Sequence, residues 1–412
     1  MDTTKLGVAL PAAAEIVVIG AGVVGLSCAI ELAKRGHEVV VVDRGRPGRG
    51  AAAASAGFIV PSHVMPLAAP GVFAEFARSA TSRDGAVSVR PSASVRDWRW
   101  YLDFARHCTR RHAERAVPAL IGLASTSATM IDEWVTEFSI DCDLRHDGVL
   151  DVYGRGAPYE AAARHAETLI QYGVRAELLD AKAVHRLEPA LYGDVGGAIR
   201  FPDDRSLHPE RFLDGLVAAA DDLGVVVVGD AAVESIDRVG PRRSALATAR
   251  GTVTASAVVV AAGTGSSALG RSLRMRIPVM PALGVSVTFN RPASGPTASL
   301  LLGERHIAVA PMADEFRLSG WFQLGRNRVR DDPSLIDGLV RLARSRVDFD
   351  DGVEVERVIA GARPVGSHGT PIIELLPHSR GAVVAIATGH GIAGLSFGPG
   401  TGRRVADLIA ST

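Results

Sequence analysis

The segment EIVVIGAGVVGLSCAIELAKRGHEVVVVDR, residues 15–44, sets three glycines between two short β-branched runs. Ile16–Ile19 has the character of a strand buried on both faces. Gly20, Gly22 and Gly25 follow at G-x-G-x-x-G spacing. The first permits a tight turn, the second lets backbone approach a pyrophosphate, and the third lets a helix pack against the strand. Val23 and Val24 open that helix, which runs to about Arg35 before Gly36 stops it. Val39–Val42 makes a second strand, and Asp43 stands at its end, 23 positions after Gly20, with Arg44 next. A carboxylate there can accept the hydroxyls of an adenosine ribose while the helix N-terminus holds phosphates. A bare glycine turn says little, but strand, glycines, helix, strand and acid together predict a dinucleotide site. The acid favours an unphosphorylated ribose, so FAD or NAD over NADP.

Composition removes other classes. The 412 residues carry 45 basic and 45 acidic side chains, so no net field attracts nucleic acid, and no interleaved basic and aromatic motif offers a second route. Cys28, Cys108 and Cys142 form no CxxC, which suggests a reducing compartment and gives no metal cluster. The apolar run Ile16–Ile30 resembles the core of a signal peptide, but it is too short to span a membrane and its glycines have their own reason. The expectation is a soluble cytoplasmic protein, with peripheral contact at the inner membrane face left open.

Three later stretches favour a flavin. GAAAASAGFIVPSH, residues 50–63, follows the second strand with small residues that let the chain pass close to a flat ligand; Ser55, Ala56 and the Gly57 amide are available to it. ASAVVVAAGTGSS, residues 255–267, is a buried strand ending in a glycine turn, placing Ala262 and Gly263 at a carboxyl edge where ligands of open α/β sheets bind. It lacks a second G-x-G-x-x-G, so no separate nicotinamide domain is expected. IATGHGIAGLSFGPGTGRRVADLIA, residues 386–410, reads as a strand, a glycine-rich loop and a final helix. There the amides of Gly389, His390, Gly391, Ile392, Ala393, Gly394 and Leu395 could face the pyrimidine edge of a flavin and stabilise negative charge.

This order of features resembles the D-amino-acid oxidase-like family of FAD oxidoreductases, most of all its bacterial D-amino acid dehydrogenases, with glycine oxidase as a cousin. The resemblance rests on ASAGFIVPSHVMPLAAPGV, RPVGSHGTP and TGHGIAGLSFGPGTG, covers most of the chain and is weakest around 100–200. It implies that Arg363 binds the carboxylate of an amino-acid substrate above the flavin. A guanidinium suits that task, since it grips a carboxylate with two parallel hydrogen bonds. It further implies hydride transfer from the neutral amine with no obligatory side-chain base, an imino acid that hydrolyses to an oxo acid and ammonia, and backbone contact from Val233 to the adenine. His390 and His368 are read as loop hydrogen-bonders. Cysteine-linked flavin is not expected, because no C-terminal cysteine exists, so the FAD should be non-covalent. The sequence departs from the family at Leu283, Ala362, His368 and Glu374, which bears on the substrate's side chain. The same arginine would serve a 2-hydroxy acid, and an NAD-binding or non-catalytic dinucleotide-binding protein is the reading from another class.

The expected fold class is α/β: a Rossmann-like FAD-binding domain from residues 1–97, 205–266 and 357–412, and a discontinuous substrate domain of antiparallel sheet plus helices from 98–204 and 267–356. Residues 97–115 read as one amphipathic helix with Trp98, Tyr101, Leu102, Ala105 and Cys108 inward and Arg106, Arg110 and Arg111 outward. Leu120, Leu123, Ser127, Met130, Trp134 and Phe138 continue at helical spacing. The stretches GVSVTF, HIAVAP and FRLSGWFQ within 278–345 suit a sheet roofing the flavin, with Trp321 and Gln323 facing the pocket.

Overall fold

The computed structural model describes residues 8–73, 76, 87–89, 94–326, 333–376 and 381–412. The ends of the expected domain pieces at 1–7 and the 327–332 part of the roof stretch lie outside them.

β1 (Ala13–Ile19), α1 (Val23–Lys34) and β2 (Val39–Val42) form where the glycine pattern puts them. β1 pairs in parallel with β2 on one side and with the strand Gly251–Val260 on the other, with Val17 opposite Val40 and Val258. Strand Val226–Val228 extends the sheet beyond β2, and strand Val383–Thr388 extends it beyond Gly251–Val260. β2, β1 from Ile16 onward and all but the first residue of Val383–Thr388 are buried on both faces, as parallel strands between layers must be. Ile16 and Val18 point into one core with Leu26, Phe212, Leu216 and Val405 from three helices. Val17 and Ile19 point into the other, with Ile236 and Leu246 of an antiparallel meander. Chain order reverses between β1 and Gly251–Val260, so the crevice at their carboxyl ends is the place for a ligand.

Among the described residues the second sheet has nine strands, eight of them running from Val355–Gly366 through Val279–Asn290, Glu315–Leu324, Ile307–Pro311, Ser299–Leu302, Val149–Tyr153 and Gly197–Phe201 to Glu177–Asp180, with Val87–Val89 beside Glu315–Leu324. It is mostly antiparallel; Val149–Tyr153 runs parallel to Ser299–Leu302, and Val87–Val89 parallel to Glu315–Leu324. Helix Pro333–Arg344 covers one face through Leu339, Leu342 and Ala343. Strand Val355–Gly366, which the expected division gave from residue 357 onward to the FAD-binding domain, hydrogen-bonds along most of its length to Val279–Asn290 in this roof sheet.

The stretch 97–115 differs from expectation. One helix, Val95–His107, ends there and another, Arg110–Glu137, starts behind a Thr109 cap. The inward face of the first is Trp100 and Phe104, stacked at 4.9 Å, while Trp98 and Leu102 are more than half exposed. The Trp100 indole donates to the Pro278 carbonyl at 3.1 Å, which turns the helix by about one residue from the face its apolar spacing suggested. Leu120, Ser127, Met130 and Trp134 of the second helix are buried as read, with Leu123 and Phe138 partly so. No helix among the described residues is long and apolar enough to cross a membrane.

Candidate active site

The glycine turn has the form its spacing requires. Gly20 has φ +109°, and a Cβ on Gly25 would lie 1.8 Å from the Gly20 carbonyl oxygen, so α1 can sit this close to β1 only with glycine there. A Cβ on Gly22 would meet nothing within 4 Å, because this residue faces open space at the start of α1. The helix has no side-chain cap and no acidic residue in its first turn, leaving its N-terminal amides suited to an anion. The Asp43 carboxylate accepts from Ala21 N at 2.6 Å and from Gly45 N at 2.9 Å, which ties the end of β2 to the glycine turn.

A cavity of about 450 Å³ runs along this edge, in the usual range for ligand sites. Of the candidate residues, Gly20, Gly22, Val23, Val24, Asp43, Arg44, Ser55, Val233, Ala262, Gly263, His390, Gly391, Ile392, Gly394 and Leu395 line it, and so does Arg363. Gly25 stands behind as a packing residue. Ala56, Gly57, Gly389 and Ala393 do not line it. Ala56 is buried against Ala310 and Met312. The Gly57 amide is taken by the Ser55 hydroxyl at 3.2 Å, and its φ of +79° serves a close approach to the Leu207 carbonyl, 1.9 Å from where a Cβ would be. Gly389 sits against Ile372 and Gly366, and Ala393 packs with Phe397 and its neighbours. Arg49, which sequence reading passed over, also lines the cavity and is held by both oxygens of Asp214.

The loop 51–55 is fixed from beneath by a buried ionic network. Arg317, fully buried, donates to the carbonyls of Ala53 (3.2 Å) and Ser55 (3.1 Å), and Ser286 donates to that of Ala54 at 2.7 Å. Glu210 neutralises Arg317 at 2.5 Å, and Arg357 bridges Glu210 and Glu315. The sequence signal was present: one arginine inside the apolar strand FRLSGWF has to find partners.

Arg363 lies near the end of roof strand Val355–Gly366, opposite Ala282. Its guanidinium occupies the space over Gly284, where a Cβ would lie 2.3 Å from Cζ. One nitrogen donates to the Trp321 carbonyl at 2.8 Å. That carbonyl is aimed by an irregularity: pairing slips between Leu283 and Val285, and Trp321 takes φ +62° in the bulge. The Trp321 indole turns away to the Leu335 carbonyl, and Gln323 accepts from Arg326, so neither lines the cavity as expected. Among the described residues no carboxylate pairs with Arg363, and burial pushes its pKa down to about 10. A desolvated cation without a counter-ion is costly, and its remaining donors face a cavity. His390 is also buried, with a pKa pushed down to about 3; its Nε2 donates to Thr401 at 2.9 Å, because that hydroxyl gives its own proton to the Phe397 carbonyl.

A parallel sheet with glycine turn and acid at its switch point, roofed by a second sheet that carries a buried arginine with no carboxylate partner among the described residues, defines a dinucleotide-binding protein with a second site beside the nucleotide cleft. The family model described as FAD dependent oxidoreductase (DAO) matches residues 15–408, and the chain belongs to that family. It is 34% identical over 407 residues to a D-amino acid dehydrogenase of Paramagnetospirillum magneticum, covering 96% of this chain and 95% of the relative. It is 32% identical to a D-amino acid dehydrogenase of Rhodopseudomonas palustris, covering 96% and 94%. Among solved structures, glycine oxidase from Geobacillus kaustophilus superposes with a TM-score of 0.80 at 21% identity, over 98% of this chain and 96% of that one. The cofactor is therefore FAD, and the residues fit it: Gly22 leaves open room at an uncapped helix start, and the cavity is continuous from Asp43 and Val233 to Arg363.

Proposed function

We propose that the protein oxidises a small amino acid, in the first place a D-amino acid, at its α-carbon. The observation that carries this is Arg363, a buried guanidinium with no carboxylate partner among the described residues, set in the cavity wall that the dinucleotide residues share. Two relatives above 30% identity are D-amino acid dehydrogenases, which supports the substrate class.

In this reading Asp43 accepts the adenosine ribose, Val233 offers backbone to the adenine and the start of α1 takes the pyrophosphate. FAD held there without a covalent link would supply a two-electron acceptor for the substrate's hydride. No cysteine lines the cavity, and His390 spends its Nε2 hydrogen on Thr401. Arg363 grips the substrate carboxylate with two N–H donors, fixing which way the Cα–H bond points; such orientation supplies much of the rate in a reaction that needs no side-chain base. His390 stays neutral at any working pH and serves the loop, not proton transfer. The amides opening helix Gly394–Ala410 face the cavity beside it and favour negative charge there. As the Cα–H bond's electron pair leaves with the hydride, the neutral amine's lone pair closes the C=N bond, giving an imino acid in its iminium form that water converts to a 2-oxo acid and ammonia.

The test is an anaerobic panel of D- and L-amino acids and 2-hydroxy acids, following flavin absorbance and then ammonia. Wild type should bleach with D-amino acids and release ammonia. Arg363→Ala should keep its flavin and lose about two to three orders of magnitude in kcat/KM, as expected when one partner of a desolvated charge pair is removed. Undiminished turnover by that variant would return Arg363 to a structural role.

A further inference from the structure

Next to the roof strand, outside the cavity, three metal-capable side chains converge. Asp103 and His107 lie one turn apart on helix Val95–His107, and His368 comes from the turn that follows strand Val355–Gly366. One ligand atom from each lies within 4.8 Å of the others, and His368 Nε2 is 3.9 Å from Asp103 Oδ2. We propose that Asp103, His107 and His368 form a binding site for a divalent transition cation, Zn2+ above all, that clasps helix Val95–His107 to the turn behind Arg363.

Each donor is oriented by a further bond. His107 Nδ1 donates to the Asp103 carbonyl at 2.8 Å, which leaves Nε2 as the ring atom available to a cation. That is the arrangement in which histidines bind metals: the second nitrogen donates to a carbonyl and fixes tautomer and ring. The Ser367 hydroxyl donates to Asp103 Oδ2 at 2.5 Å and sets the carboxylate. His112 Nε2 donates to the His368 carbonyl at 2.8 Å and steadies the turn. The rings of His107 and His368 stand 4.1 Å apart between centroids, so both imidazoles reach one point beside Asp103. Two nitrogens and one carboxylate oxygen match Zn2+, with water free to complete a tetrahedron; Ca2+ and Mg2+ prefer all-oxygen sets.

The site is independent of the function proposed above, because none of its residues lines the cavity. The experiment uses untagged holoprotein, stripped with a chelator and titrated with Zn2+ by calorimetry, with bound metal counted after gel filtration. Wild type should take up one equivalent and melt higher with Zn2+ than without. His368→Ala, an exposed position, should lose that equivalent and its Zn2+-dependent melting shift while keeping its flavin spectrum and chelator-state melting temperature. His107→Ala should do the same, and His185→Ala on a distant helix should bind as wild type does. Mg2+ should give no saturable heat. Absence of a saturable equivalent in wild type, or uptake undiminished in both His107→Ala and His368→Ala, overturns the proposal and leaves an adventitious ion only.

Discussion

Arg363 is held by residues far from it in sequence. Gly284 gives it room and Trp321 gives it a carbonyl, and each has an unusual local reason to be what it is. A methyl on Gly284 would fall 2.3 Å from the guanidinium carbon, the far end of a flexible side chain, so the arginine would move while the backbone stays. Gly284→Ala should therefore fold and keep FAD, but raise KM for a carboxylate substrate by about tenfold or more through lost bidentate geometry. Steady-state kinetics beside the flavin spectrum checks this, and an unchanged KM would show that the guanidinium does not sit where the substrate needs it. The place of Arg363 beside the cavity was legible in sequence from the family resemblance. Its two supports were not, because a bulge that turns a carbonyl leaves no periodic trace. Trp321 misled for the same reason: alternation along FRLSGWFQ assigns it a side, and the bulge reverses that side.

Helix Gly394–Ala410 shows how tertiary packing overrides propensity at the scale of an element. The sequence GLSFGPGTG reads as a loop, since each helical glycine costs about 1 kcal/mol relative to alanine and proline more. In the structure the loop is short and these residues are the first turns of the helix. A Cβ on Gly402 would lie 2.4 Å from the Ser27 carbonyl oxygen of α1, and one on Gly400 would lie 2.7 Å from that of Leu123 in helix Arg110–Glu137. Ser127 joins them, donating to Leu123 and accepting from Gly400 N. The glycines thus mark where three helix backbones approach, and sequence alone cannot distinguish that need from the flexibility of a loop. Gly402→Ala should destabilise by about 1–3 kcal/mol, the usual cost of overpacking against atoms that cannot yield. It should also loosen FAD, because the same helix brings Gly394 and Leu395 to the cavity. Thermal melting with flavin release as a second signal measures both, and a variant as stable as wild type would mean that the helices part without penalty.

For the molecule as a whole, the two sheets are readable from the alternation of parallel and antiparallel patterns, whereas the polar joints between them are not. Besides the Arg317 network there is a second joint, where Ser62 and His63 beyond the flavin loop meet Asp151 and Asp204 of the roof side. His63 Nε2 is 3.0 Å from Asp151, and Ser62 donates to Asp204 at 2.5 Å. These residues are scattered along the chain, and no spacing rule connects them. Burial works to lower the His63 pKa, but the charges of Asp151 and Asp204 raise it to about 9. Burial raises Asp204 to about 7, against the pull of His63 and Ser62. Both groups hold protons more tightly folded than unfolded. The His63 contribution is fully present below pH 6.5 and lost as pH rises through 9, and that of Asp204 fades on the way up to 7. Histidines lowered by burial, namely His165, His208, His368 and His390, act oppositely, but only below about pH 6.5, where the unfolded chain would protonate them. Between pH 7 and 9 the joint therefore dominates the histidine terms, and stability should fall by an amount on the order of 2 kcal/mol. Melting temperatures of the holoprotein across that window should decline, and His63→Gln should flatten the slope while lowering the value at pH 7. A wild-type profile that is level from pH 7 to 9, or a variant that keeps the slope, would show that the imidazole is not charged between those carboxylates.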